Sequence, residues 1–296
     1  MKGRPHGAVW GRLNGLIRRG FLKLPSVQRQ SLLLNEFPKS GASWLGMMLA
    51  ELLGMDFPRN RFPTVAARQI FHGHYLPGPS VSRMRRILQW RDGRDVIVSL
   101  YYHSLFYNDR DNAPLVNRTR RRVPFTDYSD IRGNLAPFID FVAAGRSRPV
   151  FNWEQFVLAW VGDCQAVHVK YEHLFDSPFQ ELLRILAQLG TEVDDNRLRQ
   201  VIERHSIERA KSGVADRKRS KGNVPFVRRG GHGGWRNVFT HETARVFHER
   251  MGAGLLALDY ETDGFWVDRV AGPPYDEPID ASAVASDEGS GRVLRF

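Results

Sequence analysis

The chain has 296 residues, 42% of them hydrophobic, enough to fill the core of one large domain and too many for an intrinsically disordered protein. Its single cysteine, Cys164, excludes an intramolecular disulfide or a thiolate metal cluster and points to a reducing, cytoplasmic setting. A formal net charge of +11 draws anions, whether phosphate-bearing ligands, nucleic acid, acidic glycans or an anionic membrane surface.

Residues 1–30 carry no acidic side chain, and Trp10, Leu13, Leu16, Ile17 and Phe21 recur at near-helical spacing. This basic segment is expected to pack as a first helix with a solvated cationic face; peripheral membrane contact is the alternative. The longest apolar run, residues 44–55, is broken by Glu51 and falls short of the ~20 residues that cross a bilayer. Strand-like runs at 31–37, 69–74, 86–90 and 166–171 alternate with helix-like segments. The alternation predicts an α/β fold, a single domain over 31–270 with a central parallel sheet flanked by helices. Ligands of such sheets lie at the carboxyl ends of the strands.

Helices are predicted at 43–53, closed by Gly54, and at 95–106 directly after the third strand. A Ser177-Pro178 start precedes a helix over 181–189 closed by Gly190, and Thr240 caps one that runs to Met251. Residues 108–148 are polar and arginine-rich and read as a surface insertion near the ligand edge. Residues 271–296, rich in Pro, Ser, Gly and acid, read as a mobile tail.

Three segments carry chemistry. In "FPKSGASWL" a strand turns sharply into a helix, which aims backbone N–H groups and the positive end of the helix dipole at one spot. Gly41 permits close approach, Lys39 adds a mobile charge, and Ser40 and Ser43 add hydroxyls. The turn is P-loop-like in physics but lacks the G-x-x-x-x-G-K-[ST] spelling of nucleoside-triphosphate hydrolases. "RILQWRDGRDVIVSLYYHS" repeats the strand-turn-helix, and its Arg91 and Ser99 can meet a second phosphate. "VRRGGHGGWRNVFT" places Arg228 and Arg229 before a glycine run, a basic lid over an anion.

In this order and spacing the three segments resemble the sulfotransferases that use 3′-phosphoadenosine 5′-phosphosulfate (PAPS). "FPKSGASWL" looks like the family's 5′-phosphosulfate loop, with Ala42 and Ser43 where Thr-Thr is usual. "RDGRDVIVSLYYH" looks like its 3′-phosphate segment, and "RRGGHGGWRNVFT" like its Arg-Lys-Gly lid, with Arg229 in place of lysine. "VKYEHLFDSPFQELLRILAQLG" is similar to the stretch with an adenine-contacting tyrosine, and "LLALDYE" to the usual carboxyl-terminal ending; the likeness covers about 32–261.

The resemblance implies that Lys39, Ser40, Gly41, Ala42, Ser43 and Trp44 bind the 5′ end of PAPS, with Trp44 near the adenine. It implies that Arg91, Ser99, Arg228, Arg229 and Gly230 hold the 3′-phosphate and that Tyr171 meets the adenine. The family's Thr-Ser-Phe segment falls on His205, Ser206 and Ile207, where only Ser206 matches. Where the family has Lys-Thr-His-Leu-Pro this chain has "FHGHYLPG", so His74 or Tyr75 takes the place of the base, depending on the direction of alignment.

Histidine's ordinary pKa near 6.5 suits proton removal at neutral pH, which favours His74; His72 lies two residues back on the same strand face. The implied reaction is in-line sulfuryl transfer to an acceptor hydroxyl or amine, with Lys39 neutralising developing charge, no metal, and adenosine 3′,5′-bisphosphate (PAP) as product. The acceptor is expected to be a small molecule, lipid or carbohydrate. The competing readings are a magnesium-dependent kinase of related fold and a basic nucleic-acid-binding protein, the latter drawn from the net charge and from "RTRRR".

Overall fold

The computed structural model describes residues 16–18, 20–58, 67–108, 112–147, 149–206 and 231–270. Four parallel strands form the sheet: β1 (Leu32–Glu36), β2 (Ile70–Gly73), β3 (Arg85–Trp90) and β4 (Val167–Lys170), in the order β2-β1-β3-β4. They match the four runs read from the sequence to within two residues at each end. In β1 all five residues are buried, the signature of a central strand covered on both faces.

The pleat divides the core in two. Leu32, Leu34, Ile70, Ile87, Val167 and Val169 face one side, under α2 (Ala42–Leu53), α8 (Pro178–Gln188) and α9 (Asp195–Arg204). Leu33, Phe71 and Leu88 face the other, under α3 (Gly93–Leu105), α5 (Ile131–Ala143), α6 (Trp153–Trp160) and α10 (His241–Ala257). Thr240 caps α10 by accepting from the Thr243 N–H at 3.1 Å. The helix runs past Met251 because Gly252 and Gly254 pack on His248 and Trp153 and are buried, so the glycines there mark close packing and not an end. Two short helices, α1 (Pro25–Gln30) and α7 (Tyr171–Asp176), precede β1 and follow β4.

The arginine-rich stretch 108–148 is largely helical. It holds α4 (Ala113–Arg122), packed on α3, and α5, whose Phe138, Ile139 and Val142 are fully buried. Four of its arginines, Arg118, Arg120, Arg121 and Arg122, crowd one end of α4, so composition read locally concealed a core element. Residues 271–296 and most of the basic amino-terminal segment lie outside the described residues. Of that segment, the described residues 16–18 and 20–21 are helical, and Arg18 is buried against the sheet edge. Among the described residues no helix is long and apolar enough to cross a membrane.

Register brings the carboxyl ends together. Asn35 pairs with Gly73, Glu36 with Gln89 and Trp90 with Lys170, so the turns after β1 and β3, residue His74 and Tyr171 share one edge. Strand order reverses between β1 and β3, and the crevice at such a switch point is where open α/β sheets bind ligands.

Candidate active site

After β1 the chain turns through two left-handed residues, Lys39 (φ 79°) and Gly41 (φ 97°), and enters α2 at Ala42. The Ser40 N–H and hydroxyl both donate to the Phe37 carbonyl, at 3.2 and 2.8 Å, which fixes the tight bend. A Cβ on Gly41 would stand 2.6 Å from the Tyr171 ring, so here both φ and space require glycine.

Arg91, just past β3, clasps this turn. Its guanidinium donates to the Lys39 carbonyl at 3.0 Å and to the Gly231 carbonyl at 2.9 Å, and lies 4.5 Å over the Tyr171 ring. The Tyr171 hydroxyl accepts from the Gly231 N–H at 3.3 Å, and burial raises its pKa above that of free tyrosine. Gln89 donates to the Ser40 carbonyl at 3.0 Å. Among the described residues two buried polar atoms here lack a partner: Arg91 Nε, a donor, and Gln89 Oε1, an acceptor. Buried polar atoms are rarely left so, which marks the cradle as built for a polar guest.

Lys39, Ser40, Gly41, Arg91 and Tyr171 are thus in mutual contact. Trp44, in the first turn of α2, meets Tyr171 edge-on at 6.1 Å and donates its indole N–H to the carbonyl of His205, the neighbour of Ser206, at 2.8 Å. Ala42 and Ser43 open α2. Ser99 is half-buried on α3 nearly two turns from its start, further in than predicted because the helix begins at Gly93. Arg228, Arg229 and Gly230 lie outside the described residues.

The acids of "RDGRD" have a different task from anion binding. Asp92 caps α3 and pairs with Arg94, which also reaches Glu261 at 2.5 Å and lies 3.9 Å over Trp235. Asp95 accepts from the N–H groups of Gly233 and Trp235 at 2.6 and 3.0 Å, anchoring the chain just beyond the predicted lid. Burial raises the Asp95 pKa, and these donors with Arg91 offset only part of that. Asp95→Ala strands two backbone donors and is expected to lower unfolding free energy by about 1–3 kcal/mol in urea denaturation.

At the other side of β1, Glu36 ties three groups together. Its carboxylate accepts from the Ala42 N–H at 2.8 Å and bonds His72 Nε2 at 2.9 Å, and its carbonyl bonds His74 Nδ1 at 2.9 Å. Burial opposes ionisation of Glu36, but His72, His74 and the Ala42 N–H outweigh it and hold its pKa below the usual carboxylate range. Glu36, His72 and His74 place polar atoms within 4.8 Å of one another, a donor set of the kind that binds transition metals, with both Glu36 oxygens already engaged by protein groups.

A carbonyl only accepts, so neutral His74 carries its proton on Nδ1 and its lone pair on Nε2. Burial, then the neighbouring His72, push its pKa down to about 4, leaving a neutral imidazole at physiological pH. Tyr75, the rival for the base, is held by Asn35 at its N–H and carbonyl (both 2.9 Å), and its ring covers Gly73. His74 lines a cavity of about 590 Å³ that begins at Pro38, the first residue of the Lys39 turn. Glu36, Gln89, Asp95 and Arg18 were not singled out from sequence. Only Glu36 had a local signal there: a charge within an apolar run, one residue before the turn.

The family whose description is "Sulfotransferase domain" matches residues 69–258. Among solved structures the fold is similar to mouse sulfotransferase SULT7A1 complexed with PAP, at 19% identity over 83% of this chain and 96% of that one, with a TM-score of 0.59. It is also similar to retinol dehydratase in complex with androsterone and inactive cofactor PAP, at 13% identity, 83% and 85% coverage and TM-score 0.51. The complex of retinol dehydratase with retinol and PAP gives 12% identity, 84% and 86% coverage and TM-score 0.52. At these identities the likeness is one of fold. No curated protein sequence matches the chain.

Proposed function

The chain belongs to the sulfotransferase domain family, and from that premise we propose that it transfers a sulfuryl group from PAPS to a hydroxyl or amine of an acceptor, with His74 as general base. One observation carries the reading: His74 lines the same cavity as Pro38, the residue that opens the Lys39 turn, so a proton acceptor borders the turn that would cradle the anion. The donor set fits the cofactor. Lys39 and Arg91 are cations at the ends of adjacent strands, Gly41 lets the Tyr171 ring pack onto the turn, and Arg91 Nε is a buried donor without a partner among the described residues.

When bound, PAPS supplies the sulfuryl group. Lys39 to Ser43 would hold its 5′ end, and Arg91 and Ser99, with Arg228, Arg229 and Gly230, its 3′-phosphate. His74 Nε2 removes the proton of the acceptor while the Glu36 carbonyl keeps the ring's tautomer and direction. Lys39 balances the negative charge that grows on the leaving side, at a place where the dipole of α2 is also positive. Trp44, with Tyr171 and Ser206 beside it, would bound the adenine end.

The test is direct. Purified protein with PAPS labelled in its sulfuryl group should pass label to a hydroxyl acceptor such as 2-naphthol, undiminished by EDTA, and PAP should raise its melting temperature by several degrees. Labelled ATP with magnesium should give no transfer. Absence of PAP stabilisation together with magnesium-dependent ATP turnover would replace this reading by the kinase one.

A further inference from the structure

Beyond His74 the cavity has an unusual charge balance. Arg18, Arg118, Arg122 and Arg146 line it, together with three histidines, and no described lining residue is acidic. Its remaining walls include apolar groups such as Leu115 and Phe141. In α4 the residues 115, 118, 119 and 122 follow the three-and-four spacing of one helix face, so Leu115, Arg118, Thr119 and Arg122 reach the cavity as a stripe. Arg122 donates to the Arg146 carbonyl at 2.8 Å, which joins the end of α4 to the segment after α5 and leaves both guanidiniums without a carboxylate partner among the described residues. The Ser147 hydroxyl beside them is a buried polar atom with no partner.

Like charges gathered on one concavity repel one another and focus a positive potential into it, and because Arg122 and Arg146 are exposed, salt screens part of that field. A neutral acceptor leaves that repulsion in place. An anion relieves it, and guanidiniums are the donors suited to oxyanions.

Resting on the sulfuryl-transfer reading, we propose that the acceptor is an amphipathic molecule with a fixed negative charge, a carboxylate, phosphate or sulfate group, set apart from the hydroxyl that receives the sulfuryl group. His74 meets the hydroxyl, the apolar walls take the body, and Arg122 and Arg146 hold the anion. Two arginines of "RTRRR", Arg118 and Arg122, face this cavity, while Arg120 donates to the Leu105 carbonyl and lies over Tyr128.

Three acceptors of one shape decide it: 2-naphthol, 6-hydroxy-2-naphthoate and 6-hydroxynaphthalene-2-sulfonate, each with labelled PAPS. The anionic acceptors should show kcat/KM at least about tenfold above 2-naphthol at low salt, mostly through KM, with the gap shrinking as salt is raised. In the Arg122→Gln/Arg146→Gln double variant the ratio should fall toward one. Preference for either anion over 2-naphthol supports the proposal, and their order identifies the group.

Equal or better use of 2-naphthol overturns the acceptor class and leaves sulfuryl transfer standing. If PAP fails to stabilise the protein and no label moves, the sulfuryl-transfer reading falls. Calorimetric titration with the naphthoate and 2-naphthol then still decides the charge preference, equal affinity overturning it.

Discussion

Turnover falls roughly 10²–10⁴-fold in His74→Ala, the range for loss of a positioned general base, while PAP affinity and melting temperature stay near those of the parent. The size follows from the site. His74 is the imidazole whose Nδ1 is fixed by the Glu36 carbonyl and whose ring borders the cavity, which leaves its Nε2 lone pair to take the proton. The pH dependence follows from its pKa near 4 in the unliganded protein.

The working form of the base is neutral, so activity is lost only as pH falls through that pKa and is flat on the alkaline side until another group intervenes. Bound anions raise the pKa, so the acid limb of kcat should lie at higher pH than that of kcat/KM, which reports the free enzyme. His72→Ala should cost less, because His72 Nε2 is engaged by Glu36 and acts by positioning. Normal turnover in His74→Ala, with loss in Tyr75→Phe, would move the base to Tyr75.

Lys39→Gly separates charge from backbone. At φ 79° a non-glycine residue is held against its preference, so glycine relieves strain while adding unfolded-state entropy, and the two roughly cancel. Stability should stay within about 1 kcal/mol of the parent. Turnover should drop about 10²–10³-fold, the loss seen when one preorganised donor to developing charge is removed. Arg91 still grips the residue-39 carbonyl in this variant, so the turn keeps its shape and the loss reads the ammonium alone. Parent-like turnover with a lowered melting temperature would show that Lys39 is there for the turn and not for the reaction.

Much of this was legible locally. The four strands are short apolar runs ended by turn residues, and the central strand is apolar on both faces because helices cover both. The Lys39 turn was readable because Pro38 and Gly41 punctuate it. Elements marked by composition were misread where the mark was shared. Glycines at 252 and 254 resembled a helix end but serve packing, and the arginines of α4 masked a segment whose other residues reach the core. The acids of "RDGRD" could have been partners of Arg91; Arg94 claims Asp92, and the N–H groups of Gly233 and Trp235 claim Asp95 instead.

Alternation of apolar strands and helices, a glycine turn with a lysine, and histidines ahead of Tyr75 are properties of neighbouring residues, so the sequence alone determined the α/β architecture and the places of the strand-end turns. Only the tertiary structure decided that Glu36 orients both histidines, that Arg91 spans from residue 39 to residue 231, and that Arg18, Arg118, Arg122 and Arg146 converge on one cavity. These are contacts between residues 36 to 140 positions apart, or a helix face turned toward one particular space. Parallel strand register and helix packing create them, and no local pattern encodes them.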